Sequence, residues 1–260
     1  MSFKQWFNAR LLRPGSEFDV DVAMGRLAFA KHISKFGYVE GINTTEAEVW
    51  SPGGAYTGFL TAASAVRVKA GGDAEDDDGA VGANSIVVQG LNEEWILTEE
   101  TLALNGTGAS SATTTTFIRV FRSWVADTGA YATPYNTAAI TIETTGGVVV
   151  ASIPAGDGQT SMAIYTVPAN RQCFVRDDFI NVSSTKAANV HLWQRPNADT
   201  GTAPFSSRRL VRMYHGIGSP AASPNSWACL PAKTDVWFTA DAVSGTADVS
   251  VILNLLETDA

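Results

Sequence analysis

The chain has 260 residues, 45% of them hydrophobic and 17% charged, with 23 Gly, 10 Pro and 2 Cys. That composition excludes a disordered polymer, a collagen and a small disulfide scaffold, and leaves room for one large β domain or two ordinary ones. A formal charge of −8 argues against nonspecific nucleic-acid binding, which relies on Lys and Arg neutralising phosphates, and no run approaches the roughly 20 apolar residues that span a bilayer.

Residues 1 to 60 read as an irregular arm. The start, Met1-Ser2-Phe3-Lys4-Gln5-Trp6-Phe7, lacks the long apolar core of a secretory signal, so synthesis and folding in a cytoplasm are expected. In such a compartment Cys173 and Cys229 are expected to be buried free thiols. Val20, Val22, Met24, Leu27, Phe29, Ile33 and Phe36 fit neither a helix nor a strand period, and Ser51-Pro52-Gly53-Gly54 is a turn. An apolar stretch without periodicity needs a surface to lie across, either the chain's own body or a neighbouring subunit.

From residue 61 the pattern has period 2. Val66 and Val68 alternate with Arg67 and Lys69, Ile140 and Ile142 with Thr141 and Glu143, and Val249, Val251, Leu253 and Leu255 share one face. Phe117–Phe121, Val148–Val150 and Val236–Phe238 are dense apolar runs, expected as strands covered on both sides. Turn signals such as Asp157-Gly158 and Ser244-Gly245-Thr246 punctuate these runs. The whole predicts an all-β protein: an N-terminal extended arm (1–60), then one or two antiparallel β-sandwich, jelly-roll-like domains, divided as 61–130 and 131–260. The absence of a fixed-period repeat argues against a propeller or solenoid.

Candidate chemistry is sparse. Asp73–Asp78 lacks the Gly and Glu positions of an EF-hand and reads as a solvated loop tip, with an irregular calcium site as the alternative. His32, His191 and His215 form no metal-binding pair, and Asp177-Asp178 are neighbours on a strand, pointing to opposite faces. Within Ser207–Arg212, Arg208 and Arg212 fall on one face, either as an ordinary polar strand face or as an inter-subunit salt-bridge strip. Trp193 and Trp237 lie in apolar runs and read as core; Trp6, Trp50 and Trp227 sit in looser stretches and are candidate interface anchors. No catalytic, cofactor-binding or metal-ligating residues are assigned.

Three blocks, in order, resemble a family of virion structural proteins of tailed bacteriophages. The first is Lys35-Phe36-Gly37 followed by Thr44-Thr45-Glu46, Glu48-Val49-Trp50 and Gly53-Gly54-Ala55-Tyr56. The second is Gly82–Asn92, with Glu99-Glu100 and Leu104–Thr107; the third is Ile153–Thr160 leading into Ala163–Ala169. Tyr38-Val39 departs from the Asn-Pro often found after the first block. The resemblance implies a particle component that is not an enzyme and needs no cofactor. The expectation drawn from it is a capsid cement or decoration protein on the capsid exterior, a homotrimer that clamps the major capsid protein, with neither nucleic acid nor membrane as partner. Its expected interface residues are Phe3, Trp6, Phe7, Phe36 and Trp50, with Arg208 and Arg212. A tail or host-binding component and a carbohydrate-binding β-sandwich module are the alternatives.

Overall fold

The computed structural model describes residues 17–260 apart from 73, 184, 219 and 224–227. Among the described residues, one short helix, α1 (Phe18–Ala23), precedes sixteen strands. These are β1 (Ala30–Ile42), β2 (Ala47–Glu48), β3 (Val66–Ala70), β4 (Ala83–Asn92), β5 (Leu97–Ala103), β6 (Phe117–Thr128), β7 (Ile140–Thr144) and β8 (Val149–Ile153). They continue as β9 (Ile164–Thr166), β10 (Arg171–Val182), β11 (Ala188–Arg195), β12 (Arg209–Ile217), β13 (Ala221–Ser223), β14 (Ala228–Leu230), β15 (Asp235–Ala242) and β16 (Ala247–Asp259). The all-β expectation holds.

Among the described residues, all ladders between these strands are antiparallel, and they make four small sheets. The first has the order β1-β16-β10-β13, with β14 also on β10; the second is β12-β11-β15-β2, with β9 also on β15; the third is β3-β7-β8 and the fourth β5-β4-β6. The four sheets take a propeller-like, four-blade arrangement. The lack of a sequence repeat argued against it, yet the sheets differ in strand number and draw strands from distant parts of the chain, so no repeat is required.

Two cores explain the apolar pattern. Val39, Val251, Leu253, Val190, Leu192 and Phe238 join the first and second sheets, while Val68, Ile86, Val88, Ile142 and Val150 join the third and fourth. Strand β6 is a wall between them: Ile118 and Phe121 belong to the first core, Phe117 and Val120 to the second. β15 divides likewise, with Val236 and Phe238 on one side and Trp237 on the other. Both runs are therefore apolar on both faces, as their sequence suggested. The third run differs: Val148 lies in the turn before β8, where its carbonyl accepts from the Thr144 N–H, and is exposed, whereas Val150, inside the strand, is fully buried.

Several expectations are corrected. Residues 30–42 are not an irregular arm but a strand in register with β16 from Ala30↔Thr258 to Val39↔Val249. The pattern hid it because Lys35 occupies an inward position opposite Leu253 and Gly37 another opposite Val251. A Cβ at Gly37 would come within 2.5 Å of the Ala163 nitrogen, so only glycine allows this approach. Pairing also crosses the suggested division at residues 130 and 131, since β7 and β8 join β3 in one sheet. Cys173 is buried as expected, but Cys229 is exposed. Asp76 is not at a solvated tip: it is fully buried, and its carboxylate accepts the backbone N–H groups of Ala83, Thr137 and Ala138 at 3.0, 2.9 and 2.8 Å.

Candidate interaction surface

Alternation gives the first sheet an inner and an outer face. On β16 the inner residues Val249, Val251, Leu253 and Leu255 are buried, leaving Ser250, Ile252, Asn254 and Leu256 on the outer face. At one end that outer face is covered: Leu256 packs with Val22, Leu27, Phe29 and Ala30, with Phe174 against them. α1 is held there by Asp19, whose carboxylate lies 2.7 Å from the Arg176 guanidinium. The helix has acidic residues in its first turn, where they complement its positive end.

Farther along the same face the cover stops. Phe36 on β1, Ile252 on β16, Phe179 on β10 and Ala222 on β13 stand opposite one another in consecutive register pairs, one apolar row across four strands. Phe179 is 49% and Ile252 41% exposed, with Tyr38 at 41% one pair farther on. Asn181, Ser250, Pro220 and Ala222 edge a groove of about 400 Å³ beside them. Apolar side chains directly opposite on adjacent strands form a continuous patch instead of scattered points. Between this row and the helix lies a polar belt, in which Asn254 donates to Asp177 at 2.5 Å.

A β-bulge creates the row. The pairing of β10 with β16 slips at Arg176, between Val175 and Asp177. Strict alternation from the buried Cys173 and Val175 would send Phe179 inward. The extra residue resets the phase, so Asp178 and Ile180 face in while Asp177 and Phe179 face out.

Of the residues expected at an interface, Phe36 lies in this row and is half-buried. Trp50 does not serve as an exposed anchor: it is buried in the second core, donates through Nε1 to the Gly54 carbonyl at 3.1 Å and meets Tyr56 edge-on. The looser surrounding sequence is a tight turn, with Gly53 and Gly54 both at positive φ, that folds Tyr56 back onto the tryptophan. Phe3, Trp6, Phe7 and Trp227 lie outside the described residues. Phe179 and Ile252 were not singled out from sequence; the available signal for Ile252 was an apolar residue in the polar phase between Ser250 and Asn254.

Arg208 and Arg212 have partners within the chain. Arg212 points inward, 2.5 Å from the carboxylate of buried Asp178, which also accepts from the Tyr214 hydroxyl. Burial pushes the Asp178 carboxyl up, and its hydrogen bonds with Tyr214 and Arg212 only partly offset this. Arg208 lies over the Trp193 ring at 4.0 Å and reaches Glu46 at 2.9 Å. Glu46 also accepts from Thr239 at 2.6 Å and Trp193 at 3.2 Å. Burial alone would push the Glu46 carboxyl up, but these hydrogen bonds hold it below the usual range. His191 and His215 stand beside this group with ring centres 5.6 Å apart. The carboxylate is occupied by donors, and the Arg208 guanidinium covers a face of Trp193 that a sugar would need. Among the described residues, no group of three or more His, Cys, Asp or Glu side chains is placed to hold a metal ion. Nor is any described helix long and apolar enough to cross a membrane.

No protein-family model matches this chain, and no curated protein matches it. Among solved structures it is similar to a mitogen from Yersinia pseudotuberculosis, with 10% identity and a TM-score of 0.19, over 35% of this chain and 80% of that one. It is also similar to a structure of the infectious bursal disease virus Gx strain, with 8% identity and a TM-score of 0.24, over 89% and 76% of the two chains. A turret protein with a triple jelly-roll fold from an archaeal virus gives 11% identity and a TM-score of 0.22, over 88% and 57%. At these TM-scores the likenesses carry no argument about fold or role.

Proposed function

We propose that this chain is a structural, non-enzymatic protein of a tailed-bacteriophage virion, acting as a cement or decoration protein on the capsid exterior. The observation that carries the reading is the apolar row Phe36–Ile252–Phe179–Ala222, uncovered on a sheet whose other end is already sealed by α1. The three sequence blocks supply its context, and the structure assigns physical roles to the first. Lys35 points in, Phe36 points out, Gly37 permits close approach, and Gly53-Gly54 turn Tyr56 onto Trp50.

The partner proposed for the row is the major capsid protein, with the chain as a homotrimer so that each decoration unit bridges several shell subunits. A stable contact of this kind buries about 800 Å² per partner, more than the row alone offers, so flanking polar residues such as Tyr38, Asn181 and Ser250 complete it. Repetition around a symmetric shell converts modest single contacts into tight attachment.

The test is binding to purified empty shells, comparing the natural chain with the double variant Phe179→Ser, Ile252→Ser. Both side chains face outward, so the variant is expected to keep its circular dichroism and melting behaviour while shell binding falls at least about tenfold, the equivalent of about 1.4 kcal/mol. Unchanged decoration by a folded double variant would refute the assignment of this face. Copy number in the particle discriminates position: hundreds of copies fit the shell, whereas about 3 to 12 would place the protein in the tail.

A further inference from the structure

Strands β6, β11 and β15 bring three charged groups together far from the apolar row. Asp235 is fully buried. Arg119 donates to it through Nε at 2.9 Å and NH2 at 3.1 Å. Arg195 donates through Nε at 3.1 Å and NH2 at 2.6 Å, and the Thr166 hydroxyl donates at 2.7 Å. One carboxylate therefore serves two guanidinium groups, leaving the cluster with a single surplus positive charge.

The two arginines differ in what remains to them. Arg119 is 2% exposed, and its NH1 donates to the carbonyls of Leu60 and Ile118 at 2.7 and 2.8 Å. Arg195 is 27% exposed, and among the described residues its NH1 has no hydrogen-bond partner. Phe59 lies against both guanidinium groups, its ring centre 5.5 Å from Arg119 and 4.7 Å from Arg195. Beside them is a cavity of about 230 Å³ lined by Phe59, Arg119, Arg195, Thr200, Phe205 and Ser206. It thus combines one surplus charge, an unused Arg195 donor, three hydroxyl-bearing side chains (Thr61, Thr200 and Ser206) and two aromatic walls.

We infer that this cavity binds a short-chain monocarboxylate, its carboxylate against Arg195 and its aliphatic stem between Phe59 and Phe205. The surplus is one charge, so a monoanion neutralises the cluster, while a phosphate dianion would reverse its sign in a poorly solvated place. A guanidinium matches a carboxylate geometrically through paired N–H donors. The cavity is smaller than the roughly 300 Å³ at which sites for drug-sized ligands begin, which restricts the ligand to a few heavy atoms. The site lies on other sheets than the Phe36–Ile252–Phe179 row, so failure of either reading leaves the other standing.

The test uses the full chain titrated with sodium butyrate and, separately, with inorganic phosphate, at constant ionic strength, following the arginine Nε–H signals by NMR. Butyrate is expected to shift the Arg195 signal saturably with a millimolar Kd, and phosphate is not. Arg195→Met should abolish saturation when read at the Arg119 signal. Thr200→Val, which leaves the Asp235 cluster intact, should weaken binding about threefold. Should Arg195→Met fail to fold, Thr200→Val decides. Absence of saturation by about 50 mM butyrate, equal or stronger saturation by phosphate, or unchanged binding in Thr200→Val would each overturn the proposal.

Discussion

Replacing Lys35 by Met is expected to stabilise the protein near neutral pH, by an amount that shrinks as the pH rises. Lys35 sits on the inner face of β1 opposite Leu253, buried in the body of the protein. Its ammonium group donates to the Phe121 carbonyl and lies 5.3 Å from the Phe121 ring centre. Burial, and secondarily the nearby Arg122 charge, lower its pKa from 10.5 to about 7. The unfolded chain therefore holds a proton that the folded chain has largely released between about pH 7 and 10.5. Stability from this group rises with pH across that window, approaching about 1.4 kcal/mol per pH unit, and the full penalty is present below it. The whole interval corresponds to about 5 kcal/mol. Met fills similar space without a charge, although it leaves the Phe121 carbonyl unpaired at about 1–3 kcal/mol. Urea unfolding followed by tryptophan fluorescence should show Lys35→Met the more stable at pH 6, with its advantage reduced by about 3 kcal/mol at pH 9. The comparison stops at pH 9 because burial also raises the Cys173 and Tyr56 pKa values, so those groups begin to oppose folding in stronger alkali. A variant-minus-natural difference that is flat from pH 6 to 9 would refute the account of Lys35 as a buried, charge-penalised amine.

Three further outcomes follow from buried polar groups and thiols. Asp235→Asn removes the charge shared by Arg119 and Arg195 and should destabilise by about 3–5 kcal/mol in denaturant titrations, since a buried guanidinium is left without its counter-charge. Asp76→Ala strips three backbone N–H groups of their acceptor and should lower stability by about 3 kcal/mol; the natural protein should give no binding heat with about millimolar calcium, because that carboxylate is already engaged. In the folded chain an aromatic disulfide reagent should label Cys229 promptly and Cys173 only on unfolding, because Cys173 is buried and its thiol is pushed far above its usual pKa, chiefly by that burial.

A truncation meant to probe the N-terminal segment must respect β1. Removing residues 1–40 would delete most of a strand paired with β16 and expose the first core, so loss of shell binding would report unfolding as much as loss of contact. Removing residues 1–16 leaves every described strand in place and is the informative cut.

What the sequence settled by itself was local. Period-2 alternation identified strands such as β3, β7 and β16 and which of their residues face the core, and the two-sided runs of β6 and β15 marked strands lying between two hydrophobic surfaces. Asp177 and Asp178 were legible as facing opposite ways for the same reason. Partner choice was not legible, because periodicity gives a face without naming a neighbour. β1 meets β16 from the other end of the chain, and Arg119 meets Asp235 across 116 residues. Trp50, placed in a loose stretch, is core only because the Gly53-Gly54 turn closes on it. The exposed row depended on a single extra residue at Arg176, which inverts the facing of everything after it on β10. Only the tertiary structure decides such a phase shift, because a bulge is defined by the strand it fails to match and not by the residues that form it.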